Sequence, residues 1–373
     1  MFKKILPAMI GVALVGGMTA AAADVAVFGH IDTSIDNVNV DEPGFSIDDT
    51  NMHCTTCSLG FKGSEDLGNG LKAIFSIDFQ YNTTERGGRS TSGNSDDTIY
   101  DEYGSPSLTT FERGPSLGSE QATDAITDRD QWLGLAGGFG KVRLGTISTI
   151  YKSHGAMIDP LYRTSLQGRE HGLQSNYFHS GAGEEAQGRA TNTIRYDSPD
   201  FSGIKVGATY TIDNNEGDGE DNNPWGIGVS YENGGILVFG DYITNSGDTA
   251  ATNNVGDISA WKLGGKYSIA DFAIMGQYED GTADFNNPAN NEDLTQWHIA
   301  GSYTMGSNLI YAGYGNGEYK INNIKDHDID AWTIAGIHSF SKNTSVYLGY
   351  NSQDEGQFDT QRDQISLGMK HKF

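Results

Sequence analysis

The chain has 373 residues, 24 Lys and Arg against 49 Asp and Glu, and a formal net charge of −25 at pH 7. An excess of acid this large repels a phosphate backbone, which excludes nucleic acid as a partner. Fifty Gly with 18 Tyr and 16 Phe, and no sustained 3.6-residue apolar stripe, speak against a packed α/β enzyme and for strands joined by tight turns.

At the amino-terminus, Met1-Phe-Lys-Lys is a charged n-region, Ile5 to Val15 an apolar h-region, and Ala21-Ala-Ala23 a small-residue cleavage site. Residues 1–23 therefore read as a secretory signal peptide and 24–373 as the mature domain. The apolar run is too short to cross a bilayer as a helix. Removing Lys3 and Lys4 leaves the mature chain more acidic still.

Period-2 alternation then sets in. Val25, Val27, Ile31 and Ile35 alternate with Phe28, His30, Asp32 and Ser34; Leu59 and Phe61 with Ser58 and Lys62; Leu71, Ala73, Phe75, Ile77, Phe79 and Tyr81 with Lys72, Ser76, Asp78 and Gln80. Further segments centre on Trp132 to Ala136, Val142 to Thr149, Thr193 to Tyr196, Ile204 to Ile212, Trp225 to Tyr231, Ile236 to Tyr242, Ile258 to Tyr267 and Phe272 to Tyr278. Gln296 to Met305, Leu309 to Tyr314, Trp332 to Phe340, Val346 to Tyr350 and Asp363 to Phe373 complete the series. That gives about sixteen strands, an even number, and predicts an all-β fold: a transmembrane antiparallel β-barrel. The mean hydropathy of −0.46 is compatible with this, because only one face of each strand meets lipid.

Short, turn-rich connections such as Gly137-Gly-Phe-Gly140, Asn233-Gly-Gly235 and Gly306-Ser-Asn308 alternate with long polar ones, such as Asn82 to Asp128 and Asp213 to Pro224. Short turns belong on the periplasmic side and long loops outside, which places both termini in the periplasm.

Three stretches carry a family resemblance: Leu59-Gly-Phe-Lys-Gly-Ser-Glu-Asp-Leu-Gly-Asn-Gly-Leu-Lys-Ala-Ile-Phe75, Trp132-Leu-Gly-Leu-Ala-Gly-Gly-Phe-Gly-Lys-Val-Arg-Leu-Gly145 and Asn192-Thr-Ile-Arg-Tyr-Asp-Ser-Pro199. In content and order they resemble the general diffusion porins of Gram-negative outer membranes. The resemblance implies a homotrimer of barrels of about sixteen strands each, with the third loop folded inward to narrow a water-filled lumen. Small hydrophilic solutes and ions would diffuse through it. Outer-membrane lipid and lipopolysaccharide would surround it, the second loop would latch onto a neighbouring subunit, and no cofactor would be needed. The carboxyl-terminal Phe373, in register with Leu367 and Met369, resembles the signal read by the outer-membrane assembly machinery.

The region Ile150 to Ala190 lacks a clean alternation yet carries Asp159, Arg163, Arg169, Glu170, Glu184 and Glu185. Such a loop is either a solvated external flap or a lumenal constriction. The resemblance favours the second, with Asp159 and Glu170 facing basic side chains on the wall. Arg195 matches a lumen arginine of the family and His30 a frequent basic position, and Lys62, Lys72, Arg143 and Lys205 also alternate inward. Two arginines frequent in the family are Ser58 and Thr146 here. The thinned basic wall, with the net charge, predicts cation preference.

The remaining motifs are weaker. His53-Cys-Thr-Thr-Cys57 lacks the following His of a haem-attachment motif and the further ligands of a metal site. In an oxidising compartment a Cys54 to Cys57 disulfide is expected, and it requires a turn there, because residues i and i+3 of a strand lie about 10 Å apart. Asp213 to Asp221 lacks the spacing of an EF-hand and reads as a solvated loop. Ser153, His154, His171 and His179 lack a nucleophile-elbow setting, so no catalytic set is assigned. Trp225, Trp297 and Trp332 read as interfacial girdle. A solute-specific channel, or a barrel used as an adhesin or enzyme, is the alternative to general diffusion.

Overall fold

The computed structural model describes residues 24–84, 126–171, 188–212, 223–245, 255–285, 291–356 and 359–373. The signal-peptide reading and most of the second and fourth loops fall outside these residues. Among the described residues there are seventeen strands: β1 (Asp24–Glu42), β2 (Phe45–Cys54), β3 (Ser58–Gly68), β4 (Leu71–Tyr81), β5 (Ile126–Gly137), β6 (Gly140–Ser148), β7 (Arg189–Asp197), β8 (Ile204–Thr211), β9 (Trp225–Asn233), β10 (Ile236–Asn245), β11 (Val255–Ile269), β12 (Phe272–Phe285), β13 (Glu292–Met305), β14 (Asn308–Ile321), β15 (Ile324–Ser339), β16 (Thr344–Glu355) and β17 (Thr360–Lys372).

From β3 to β17 each strand pairs antiparallel with the next, and β1 pairs with β17 to close the ring. The upper part of β1 pairs with β2 and its lower part with β3. These two strands are one stave, interrupted at Thr55 to Cys57, so the barrel has sixteen staves. The seam is finished by a reciprocal pair of backbone bonds, Gly29 N to Phe373 O and Phe373 N to Gly29 O, both 3.0 Å. Closure removes the free edges that an open sheet would expose to lipid.

Alternation sorts side chains between two solvents. On β1, Ile31 and Ile35 point out and are exposed, whereas His30, Asp32, Ser34 and Asp36 point in and are buried. The outward series continues with Leu133, Leu144, Leu263, Ile274, Ile299, Ile334, Leu348 and Leu367, an apolar band facing hydrocarbon. Cross-strand ring pairs rim it: Trp225–Tyr242, Trp261–Tyr278, Trp297–Tyr314 and Trp332–Tyr350, with centroids 4.9 to 5.5 Å apart. Phe272 stacks on Tyr303 at 4.4 Å nearer the opposite end.

The short turns fall where predicted; Gly234 and Gly235, both at positive φ, form a two-residue hairpin. The alternation of turn lengths is less regular than the sequence suggests. At the loop-bearing end β1 and β2 are joined by Pro43-Gly44 alone, and β14 and β15 by Asn322 and Asn323, both left-handed. Asn tolerates that conformation, so a polar stretch that reads as an external loop is a tight turn between two longer strands.

Candidate functional site: a loop docked across the lumen

After β6, the chain turns inward. Thr149 caps helix α1 (Ile150–Gly155), its side chain accepting from Lys152 N. Ile150 enters a hollow formed by Gly207 on β8 and Gly228 on β9, which are cross-strand partners. A Cβ at Gly207 would lie 2.6 Å from Ile150 Cδ1, and one at Gly228 2.9 Å from Ile150 Cγ1. Only a wall without side chains admits the helix at this depth. Polar contacts reinforce the seat: His154 Nδ1 lies 2.6 Å from Asp241 Oδ1 of β10, and the buried Lys262 of β11 sits 3.9 Å from the Tyr151 ring centroid.

Arg195 ties the root of the loop to the wall. It donates through Nη1 to Ser153 Oγ (2.8 Å) and to Ser148 O (2.5 Å), and through Nε and Nη2 to Asp197 Oδ1. Arg143, its cross-strand partner, pairs with the other oxygen of Asp197. One carboxylate thus holds two arginines side by side that would otherwise repel.

Past a 3-10 turn at Ala156–Ile158, the loop runs along the inner wall. Ile158, Leu161 and Leu166 are fully buried against Leu237, Phe239, Met275, Ala300, Tyr311, Ala335 and Tyr347. Burying apolar area in an otherwise wetted lumen anchors the loop at about 25 cal/mol per Å². Asp159 closes the loop on itself: Oδ1 accepts from Leu161 N and Oδ2 from Gly168 N, both at 2.8 Å. Burial pushes its carboxyl up to about 6, against the downward pull of those two bonds, Arg169 and Lys370.

The far end reaches the seam. Lys370 Nζ of β17 donates to the carbonyls of Tyr162 (2.6 Å) and Arg163 (3.1 Å), and Gln364 Nε2 to that of Ser165 (3.2 Å). The hydroxyl of Tyr347 donates to Asp32 Oδ1 at 2.8 Å and receives Ser165 N at 3.4 Å. Arg163, with φ at +62°, reaches His30 Nδ1 at 3.3 Å. Beside them Arg129 bridges Asp78 at 3.2 Å and donates to Gln80 at 2.7 Å.

Of the sequence-predicted set, His30, Asp159, Arg143 and Arg195 lie at different points along the docked loop, and only Arg143 and Arg195 share a partner. His30 lies beneath the far end of the loop, and Arg143 and Arg195 at its root. Asp159, expected to face the wall across open water, is instead an internal staple of the loop. The side chain of Glu170 lies outside the described residues. Lys62 is exposed with its Nζ 4.9 Å from the Phe28 ring, Lys72 is exposed near the turn into β4, and Lys205 bridges Asp200 at 3.6 Å. Cys54 and Cys57 form a disulfide with Cα atoms 5.7 Å apart. Sequence reasoning missed Arg129, Asp197, Lys262, Tyr347 and Lys370. Parity points Asp197 and Lys370 inward with Arg195 and Gln364, but their partners lie far away in the chain.

A family model described as Gram-negative porin matches residues 8–357. Among relatives, the major outer membrane protein P.IB of Neisseria meningitidis serogroup A is 27% identical over 240 residues, 62% of this chain and 56% of that protein, so the match spans just over half of the relative. Among solved structures, an anion-selective porin from Comamonas acidovorans superposes with a TM-score of 0.70 at 19% identity, over 94% of this chain and 100% of that one. A loop-deletion mutant of OmpT, an outer membrane protein of Vibrio cholerae, gives 0.69 at 16% identity, over 95% and 100%.

Proposed function

Because this chain belongs to the Gram-negative porin family and is an outer-membrane barrel, we propose that it forms a water-filled channel for passive diffusion of small hydrophilic solutes and ions. The observation that carries this reading is the loop from Thr149 to Gly168, which lies inside a closed barrel whose exterior is apolar. It narrows the lumen by resting on the inner wall. A homotrimer is proposed with it; one solved neighbour, OmpT of Vibrio cholerae, is described in a trimer form. The segment assigned to the intersubunit latch, 85–125, lies outside the described residues. The outer leaflet's lipopolysaccharide would meet the aromatic rim.

Selectivity follows from where charge is matched. Arg129 is paired with Asp78, Arg143 and Arg195 with Asp197, and Arg189 with Asp130 at 2.7 Å. With these lumen bases neutralised locally, the chain's acidic excess governs the approach to the pore and favours cations. A second reading has its own support: among the described residues no carboxylate pairs with Arg163, which leaves a positive charge at the loop's far end. The two separate with salt, because the Debye length falls from about 30 Å at 0.01 M to about 3 Å at 1 M and screens distant charge first. Reversal potentials of reconstituted protein in KCl gradients should show cation preference at low salt that fades at high salt. Absence of stepwise conductance overturns the channel; anion preference at 0.01 M overturns the cation reading.

A further inference from the structure

The Cys54–Cys57 bridge lies next to Thr56, which contacts the His30 that meets Arg163 of the loop. On β1, Thr33 is paired with Cys54 and His30 with Ser58, so Thr55, Thr56 and Cys57 oppose only Ile31 and Asp32. This is a bulge, and the disulfide spans it. Within it Thr56 is held at φ +52°, a left-handed conformation that a β-branched residue avoids unless its surroundings impose it.

Held there, Thr56 Oγ1 lies 3.2 Å from His30 Nε2. The other ring nitrogen, Nδ1, lies 3.2 Å from Ser58 Oγ and 3.3 Å from Arg163 Nη1. A guanidinium only donates, so Nδ1 must be the acceptor, and the ring hydrogen sits on Nε2 and goes to Thr56. The same turn supports a second chain of contacts. Cys57 Sγ accepts Asp32 N at 3.3 Å, and Asp32 accepts the Tyr347 hydroxyl that touches Ser165. Both chains end on the loop, at Arg163 and Ser165.

We propose that the Cys54–Cys57 disulfide is a clasp on the constriction: it fixes Thr56, which fixes His30 as the neutral acceptor that holds the Arg163 guanidinium in the lumen. The inference rests on the porin reading. Thr56 is a positioning residue, acting through His30. Without the bridge the bulge relaxes, His30 loses its Nε2 acceptor, and the charge of Arg163 is no longer held at one place.

The test uses assembled full-length protein in planar bilayers, before and after a small dithiol is added. One thiolate of the dithiol attacks a bridge sulfur to give a mixed disulfide, and the second thiol displaces it. Cys54 and Cys57 gain two electrons and two protons, and the dithiol leaves as its cyclic disulfide. Reduction should shift the reversal potential in a KCl gradient toward cations and raise open-channel current noise. The C54S/C57S double variant should show the same shift without dithiol and no further response to it. Thr56→Val keeps the bridge and removes the acceptor, and should reproduce the shift in a barrel whose disulfide is intact. Wild-type channels of normal conductance, with all three perturbations leaving selectivity and noise unchanged, overturn the clasp alone. Wild-type protein that conducts no current overturns the porin reading and the clasp with it.

Discussion

Asp159 makes the docking of the loop depend on pH in a direction that can be worked out. Undocked, its carboxyl is hydrated and ionises near 3.8; docked, burial raises it to about 6, although Arg169 and Lys370 face it. The docked state therefore binds the proton more tightly, and docking is favoured by acid. This contribution is fully present below about pH 4, is lost as pH rises toward 6, and is constant above that. The difference between the two carboxyl environments corresponds to about 3 kcal/mol. The loop should be held most firmly in mild acid, and open-channel noise in single-channel records should rise between pH 4 and 7. Asp159→Asn has nothing to ionise and should flatten that rise, whereas other titrating groups remain in place. A wild type whose noise is level across this range, or an Asn variant that keeps the dependence, refutes the reasoning.

Three further outcomes follow from the same contacts. Gly207→Val fills the hollow that receives Ile150, at a cost of about 1–3 kcal/mol for overpacking, and should displace α1 and change unitary conductance while the barrel still assembles; an unchanged conductance counts against the hollow as an anchor. Lys370→Met removes both bonds that its ammonium donates to the carbonyls of Tyr162 and Arg163, a loss of about 1.5–3 kcal/mol for a charged donor, readable as protease cleavage within the loop of folded protein. Deleting Phe373 removes both bonds to Gly29, and the heat-modifiable folded fraction on a gel should fall with secretion unaltered; a normal folded yield would exclude a role in closure.

The fold was legible because the barrel imposes a binary rule on nearly every residue. Ile31 and Ile35 out, His30 and Asp32 in, is a local pattern that needs no knowledge of partners, and it located all sixteen staves. Two features obeyed no local pattern. β2 carries Asp48, Asp49, Asn51 and His53, so its polar run resembles loop; it is a strand because it extends above the lipid, paired with β1. Asn322 and Asn323 look like the middle of a loop for the same reason. In the site, composition identified charge but not use. Asp159 and Arg195 were visible as charged residues beside the pore, whereas the staple depends on a turn that brings Gly168 back to it. Lys370 meets a carbonyl 208 residues away, a distance no periodicity reports.

The inner loop also bears on how the barrel is made. Its far end rests on both sides of the seam: on His30 of the first strand through Arg163, and on Gln364 and Lys370 of the last through the carbonyls of Tyr162, Arg163 and Ser165. A nascent barrel lacking its final strand lacks these donors too, so the far end of the inner segment gains its seam contacts only when the cylinder is sealed, whereas its root is held by the earlier strands. The last step of biogenesis is then a joint one. Completion of the wall and the seating of the loop's far end are thereby coupled.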